Sequence, residues 1–199
     1  MAKFGKQRFN INYQNGVGPS SSAGLHESSQ RMVRILKEHD ILNKENLTVC
    51  EIGAGPARNL QYIYNENPTC KFYANDLWEE TVDYLGKDMK ALYDEGRFEY
   101  TAMDTEDYVN SRDLKVDVFM SVSHLMHVQY DKGENIIKRV RDVWQPTYIL
   151  ISELGKDFET PEHPRLYHDY TLFNEKYDVI HNEIRQEGRQ INNLYKLKI

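Results

Sequence analysis

Apolar positions recur along the chain in two rhythms. Short β-prone runs stand at Leu47–Ile52, Cys70–Asn75, Phe98–Met103, Asp117–Val122 and Tyr148–Ser152. Between them the apolar positions fall three and four apart. Met32, Val33 and Leu36 share one face of a helix predicted over His26–His39. Leu60, Ile63 and Tyr64 lie on a second helix that resumes at Ala57 after a glycine break. Trp78, Val82, Leu85, Met89 and Leu92 are spaced four, three, four and three, which predicts one amphipathic helix ended by Gly96. Ile136, Ile137, Val140, Val143 and Trp144 predict another, stopped by Pro146. Tyr177–Ile184 and Ile191–Ile199 alternate as strands across a short connector holding Gly188, so they form a hairpin and run antiparallel.

Strands alternating with helices predict an α/β protein. The expected fold is a doubly wound, seven-stranded, mostly parallel sheet with a C-terminal antiparallel hairpin. Residues 26–199 read as a single domain. Residues 1–25 are polar and carry Gly16-Val17-Gly18-Pro19 and Ser20-Ser21-Ser22, the composition of a flexible arm. Phe9, Ile11 and Tyr13 alternate with polar residues there. That pattern suits an arm that closes as a lid over the site, and a solvated tail is the alternative reading.

Composition acts mainly by exclusion. A length of 199 residues with 40% hydrophobic content suits one domain with a sizeable core. A net charge of −6 argues against an extended nucleic-acid footprint. No apolar run approaches the ~18 residues of a membrane span, and no apolar signal segment stands at the N-terminus, so a cytoplasmic protein is expected. Cys50 and Cys70 both fall in predicted strands and read as buried thiols. His124 and His127 are three apart without a nearby thiol or carboxylate in a standard ligand pattern, so no metal is expected.

The candidate chemistry centres on Leu47–Leu60, where a strand, a glycine turn and a helix meet. Such a corner lets backbone approach a ligand and offers free N–H groups at a helix start. The dinucleotide fingerprint fails here because Arg58 stands where its third glycine belongs. Asp76 lies 23 residues beyond Gly53, at the end of the next strand. A carboxylate so placed can hold ribose hydroxyls, and it can equally cap the following helix. Glu51-Ile52-Gly53-Ala54-Gly55 resembles the first motif of the class I S-adenosylmethionine-dependent methyltransferases, an acid followed by Gly-x-Gly-x-Gly, with Ala57 in place of the third glycine. Arg58-Asn59-Leu60 is a common continuation in that family. Asp104 matches its acidic residue at the end of strand three, with Asp107 as the competing candidate. Ser121, Val122 and Ser123 match its backbone beside the methionine moiety, and His127 its frequent histidine.

The resemblance covers residues 26–199 and implies a Rossmann-like methyltransferase fold that binds S-adenosylmethionine and releases S-adenosylhomocysteine. It assigns Glu51, Gly53, Ala54, Gly55, Asn59, Asp76, Leu77, Asp104, Thr105, Ser121 and Val122 to the cofactor. His127, and Tyr167 and His168 in the aromatic loop Gly155–Tyr170, are the candidates to meet the acceptor, for which a small polar metabolite is expected. Two other functions compete. One is a non-catalytic module that holds the cofactor or its product and acts through a partner protein. The other is a nicotinamide-dependent oxidoreductase, against which Arg58 and the terminal hairpin argue.

Overall fold

The computed structural model describes residues 23–77, 79–154, 167–185 and 190–199. Residues 1–22, most of the segment expected to form an arm over 1–25, and most of the Gly155–Tyr170 loop lie outside the described residues. Strands β1 (Thr48–Ile52), β2 (Lys71–Asp76), β3 (Phe98–Ala102), β4 (Val118–Val122), β5 (Tyr148–Leu154), β6 (Tyr177–Arg185) and β7 (Gln190–Leu197) form one seven-stranded sheet. Their order is β3-β2-β1-β4-β5-β7-β6. The first five pair in parallel, and β7 runs antiparallel to both β5 and β6.

This order has a mechanical consequence. The chain winds outward from β1 to β3, then returns to lay β4 on the other side of β1. The strand order reverses beside β1, and in open α/β sheets ligands bind at the C-terminal ends of the strands at such a point. The central strands β1 and β4 are buried on both faces, as parallel strands covered by helices must be. In β4, Val118 and Met120 enter one core and Phe119 the other.

Helices α1 (Ala23–Glu38), α2 (Arg58–Glu66) and α3 (Lys87–Asp94) cover one face. Met32, Ile35, Leu36, Leu60, Ile63 and Met89 are fully buried there against Val49, Ala74 and Leu150. Helices α4 (Thr105–Asn110) and α5 (Tyr130–Arg139), the latter continued by a π turn over Val140–Trp144, cover the other. Tyr108, Ile136 and Trp144 pack on Ile52, Phe119 and Ile149, and Trp144 donates its indole N–H to Arg112 O at 2.8 Å. This is the doubly wound architecture expected from the sequence.

The single helix expected to carry Trp78 through Leu92 is in fact two pieces. A 3-10 segment spans Glu79–Tyr84, and α3 begins only at Lys87. Gly86 stands between them in an extended conformation (φ −60°, ψ 157°) as the cap of α3. A glycine inside a helix costs about 1 kcal/mol relative to alanine. The apolar spacing survives the break, because Met89 and Leu92 still face the core.

Candidate active site

β1 ends in a turn whose backbone is left-handed at Gly53 (φ 63°), Gly55 (φ 51°) and Ala57 (φ 57°). Ala54 N–H crosses to Asn75 O at 3.0 Å, which ties the turn to the end of β2. Asp76 completes the tie. Its Oδ2 accepts from Gly55 N–H at 2.8 Å and its Oδ1 from Leu77 N–H at 2.7 Å.

Glu51 lies beneath the turn with no exposed surface. Its Oε1 accepts from Asn59 Nδ2 at 2.6 Å, and Asn59 Oδ1 in turn accepts from the Ser29 hydroxyl of α1 at 2.7 Å. Glu51 Oε2 is buried with no hydrogen-bond partner. Burial, only partly offset by the Asn59 bond, pushes this carboxyl up to about 8.

A second relay runs on the other side of the turn. Asn75 Nδ2 donates to Met103 O at 2.8 Å and Thr101 O at 3.3 Å, so its Oδ1 accepts the Thr105 hydroxyl proton at 3.0 Å. Thr105 Oγ1 then serves as acceptor for His124 Nε2, 2.7 Å away. This fixes the tautomer: Nε2 carries the proton and Nδ1 keeps a lone pair. The His124 ring lies directly over Gly53, where a Cβ would fall inside it. Desolvation, reinforced by His127, pushes the imidazole down to about 4, so it is neutral near pH 7.

Glu153 at the end of β5 shapes the turn that presents His124. Its Oε1 accepts from Ser121 Oγ at 2.6 Å and from the N–H groups of His124 and Leu125 at 3.0 Å, and its Oε2 from Met126 N–H at 3.4 Å. Ser121 is buried and Val122 half-buried at the end of β4. At the neighbouring edge Asp104 caps α4, accepting from Glu106 N–H at 2.9 Å, with Lys132 3.5 Å from its carboxylate. Leu77 is 50% exposed beside Asp76.

The acceptor candidates separate. His127 is exposed on the 3-10 turn Leu125–His127. Tyr167 is half-buried, edge-on to Tyr170. His168, expected to meet the acceptor, is instead 2% exposed, and its Nε2 donates to Leu125 O at 2.8 Å and Val128 O at 3.1 Å. A Cβ on Gly133 of α5 would fall inside its ring. A histidine so enclosed, with its N–H committed to two carbonyls, anchors the β4 loop and does not face an acceptor.

Residues 49–147, about half of the chain, match a family described as methyltransferase domain. The chain belongs to the class I S-adenosylmethionine-dependent methyltransferase family. No curated protein matches the sequence. Among solved structures, this methyltransferase is similar to the N-methyltransferase NodS of Bradyrhizobium japonicum WM9 in complex with S-adenosylhomocysteine. Identity is 10%, coverage 91% of each chain and TM-score 0.69. The magnesium protoporphyrin IX methyltransferase of Synechocystis PCC 6803 with bound S-adenosylhomocysteine is 13% identical, with 86% of this chain and 83% of that chain covered and a TM-score of 0.67. The 1,6-didemethyltoxoflavin-N1-methyltransferase of Burkholderia thailandensis is 18% identical, with 100% of this chain and 89% of that one covered and a TM-score of 0.66. At these identities the likeness establishes the shared fold.

Two features of this methyltransferase's own residues fit the family's cofactor. The orphaned Glu51 Oε2 suits a cationic N–H donor, such as an amino-acid ammonium. The Asp76 carboxylate, at the end of β2 and bonded to the glycine turn through Gly55 N–H, suits a vicinal diol, such as a ribose.

The sequence assigns none of His124, Asn75, Ser29 and Glu153 to the site. His124 and Glu153 stand at strand ends, where ligands bind in open α/β sheets, and that position was the available signal. Asn75 and Ser29 had none, because each acts through a partner that only the fold brings near.

Proposed function

We propose that the site binds S-adenosylmethionine and transfers its methyl group to a small polar metabolite. The observation that carries this reading is the pairing of the partnerless Glu51 Oε2 with the Asp76 carboxylate on either side of one glycine turn. The cofactor supplies a methyl group already activated by a positive sulfur. The protein's work is therefore to position the acceptor in line with the carbon–sulfur bond.

Glu51 takes the cofactor's ammonium, and Asn59 holds the carboxylate in place. Gly53, Ala54 and Gly55 let the backbone approach the methionine and ribose. Asp76 accepts both ribose hydroxyls while its Gly55 bond keeps the turn closed. Leu77, Asp104 and Thr105 line the adenine end. The backbone of Ser121 and Val122 lies beside the methionine chain. We assign the acceptor to His127, which is exposed after β4, and to Tyr167, which is half-buried. The acceptor class is supported by the Burkholderia structure that aligns along the whole chain, which holds the small molecule 1,6-didemethyltoxoflavin.

The test is turnover. Purified protein given methyl-labelled S-adenosylmethionine and a low-molecular-weight cell extract should release S-adenosylhomocysteine and label a small molecule. Labelling confined to protein or RNA fractions would reject the acceptor class. Tight binding without label in any fraction would favour the non-catalytic module.

A further inference from the structure

We propose that Glu51 is protonated in the free protein and releases its proton to solvent when an ammonium-bearing ligand seats at the Gly53 turn, with Ser29 of α1 as the positioning residue that makes the exchange possible. The proposal rests on the cofactor reading above and adds to it a proton and a residue outside the motif.

The geometry carries the first part. Glu51 is 0% exposed, accepts one hydrogen bond from a neutral amide, and leaves Oε2 without a partner. A buried carboxylate in that state is poorly compensated, and such groups stay neutral until a cation arrives. The charged groups around it do not reverse this. Asp76 at the end of β2 disfavours ionisation, and Arg58 at the start of α2 favours it more weakly. Burial is the largest influence and holds the acid up at about 8.

The Glu51 O–H bond breaks and the proton passes to a buffer base. The freed oxygen pair accepts an N–H of the incoming ammonium. The buried pair is neutral overall, and no electrons change hands.

Ser29 steadies the Asn59 amide in the relay. Its hydroxyl donates to Asn59 Oδ1, while Asn59 Nδ2 donates to Glu51. With the amide reversed, its oxygen would accept the proton of the acid and hold Glu51 in the protonated form. Ser29 is 1% exposed on α1, so the packing of that helix on α2 belongs to the cofactor site.

The sign of the linkage follows. Below about 8 the free protein carries the proton and the complex does not. Affinity for an ammonium ligand therefore rises with pH, by up to about tenfold per unit, and levels off above that value. The ligand's own ammonium titrates no lower than a peptide α-amino group, at about 7.7–8.0, so the measurement belongs at about pH 6.5, where the ligand stays charged.

The experiment is titration calorimetry of the full chain with S-adenosylhomocysteine in buffers of different ionisation enthalpy. Close to one proton should be released per ligand. Methylthioadenosine, which lacks the amino-acid end, should bind without release. Glu51→Gln should bind S-adenosylhomocysteine more weakly and release none. Ser29→Ala should bind S-adenosylhomocysteine about fivefold or more weakly, with methylthioadenosine affinity unchanged. Binding of S-adenosylhomocysteine without proton release, or release that persists in Glu51→Gln or with methylthioadenosine, would overturn the proposal. Equal losses for both ligands in Ser29→Ala would reduce Ser29 to a fold residue and overturn its positioning role. No binding of S-adenosylhomocysteine at all would overturn the cofactor reading, and the proposal with it.

Discussion

The imidazole of His124 occupies the space that a side chain at Gly53 would need. One residue follows β1 and the other follows β4, so the contact exists only because those strands are neighbours. Gly53→Ala meets two obstacles there. A left-handed alanine costs roughly 1–2 kcal/mol, and the added methyl collides with the ring. We expect a loss of about 2 kcal/mol or more of stability, with His124→Ala restoring part of it. Denaturant unfolding of the double-mutant cycle should show a coupling of about 1 kcal/mol. Additive effects would mean that the ring does not hold this position.

Asp76→Ala should weaken S-adenosylhomocysteine binding by about ten- to a hundredfold, as hydrogen bonds to a charged group contribute roughly 1.5–3 kcal/mol. Its loss also frees Gly55 N–H and Leu77 N–H. The comparison is Asp107→Ala, an exposed residue of α4, which should bind as the parent does. Equal losses in a calorimetric titration would show that Asp76 does not hold the ribose.

His168→Ala should lower stability while leaving S-adenosylhomocysteine affinity unchanged. It removes the donor shared by Leu125 O and Val128 O, and leaving buried acceptors unmet costs about 1–3 kcal/mol. Gly133→Ala should destabilise in the same way by displacing the ring. Loss of turnover with unfolding midpoints unaltered would contradict this and return His168 to the acceptor.

The legible part of this protein is what local pattern controls. Strand starts and ends were read to within two residues at β1 through β7, because Val118, Phe119 and Met120 alternate cleanly between two cores. The glycine turn and the carboxylates at strand ends were legible because Gly53, Gly55 and Asp76 sit at fixed offsets from strands. The split at Gly86 was missed because the apolar spacing of Leu85, Met89 and Leu92 fits a helix whether or not the chain breaks between them. The role of His124 was illegible for a different reason. Its tautomer depends on Thr105, whose hydroxyl direction depends on Asn75, and these three belong to three different segments. His168 carries the same residue type as His127, and only burial tells them apart.

The free protein's stability should depend on pH through Glu51. In the fold this acid is held up to about 8, above its ordinary value of 4.5, so folding favours the protonated form. Stability is therefore highest below the unfolded value and falls as pH rises between the two, by at most about 5 kcal/mol. Glu51→Gln lacks this dependence. Its unfolding midpoint relative to the parent should rise with pH through that window and hold constant above it. A pH-independent difference between the two proteins would show that Glu51 is ionised throughout.

If the turn between β1 and α2 is built for S-adenosylmethionine, calorimetric titration of the purified protein with S-adenosylhomocysteine and, separately, with NAD will distinguish the two ligands. We predict micromolar binding of S-adenosylhomocysteine, weakened in Asp76→Ala, and no comparable binding of NAD. Tight NAD binding with none of the homocysteine product would contradict the account.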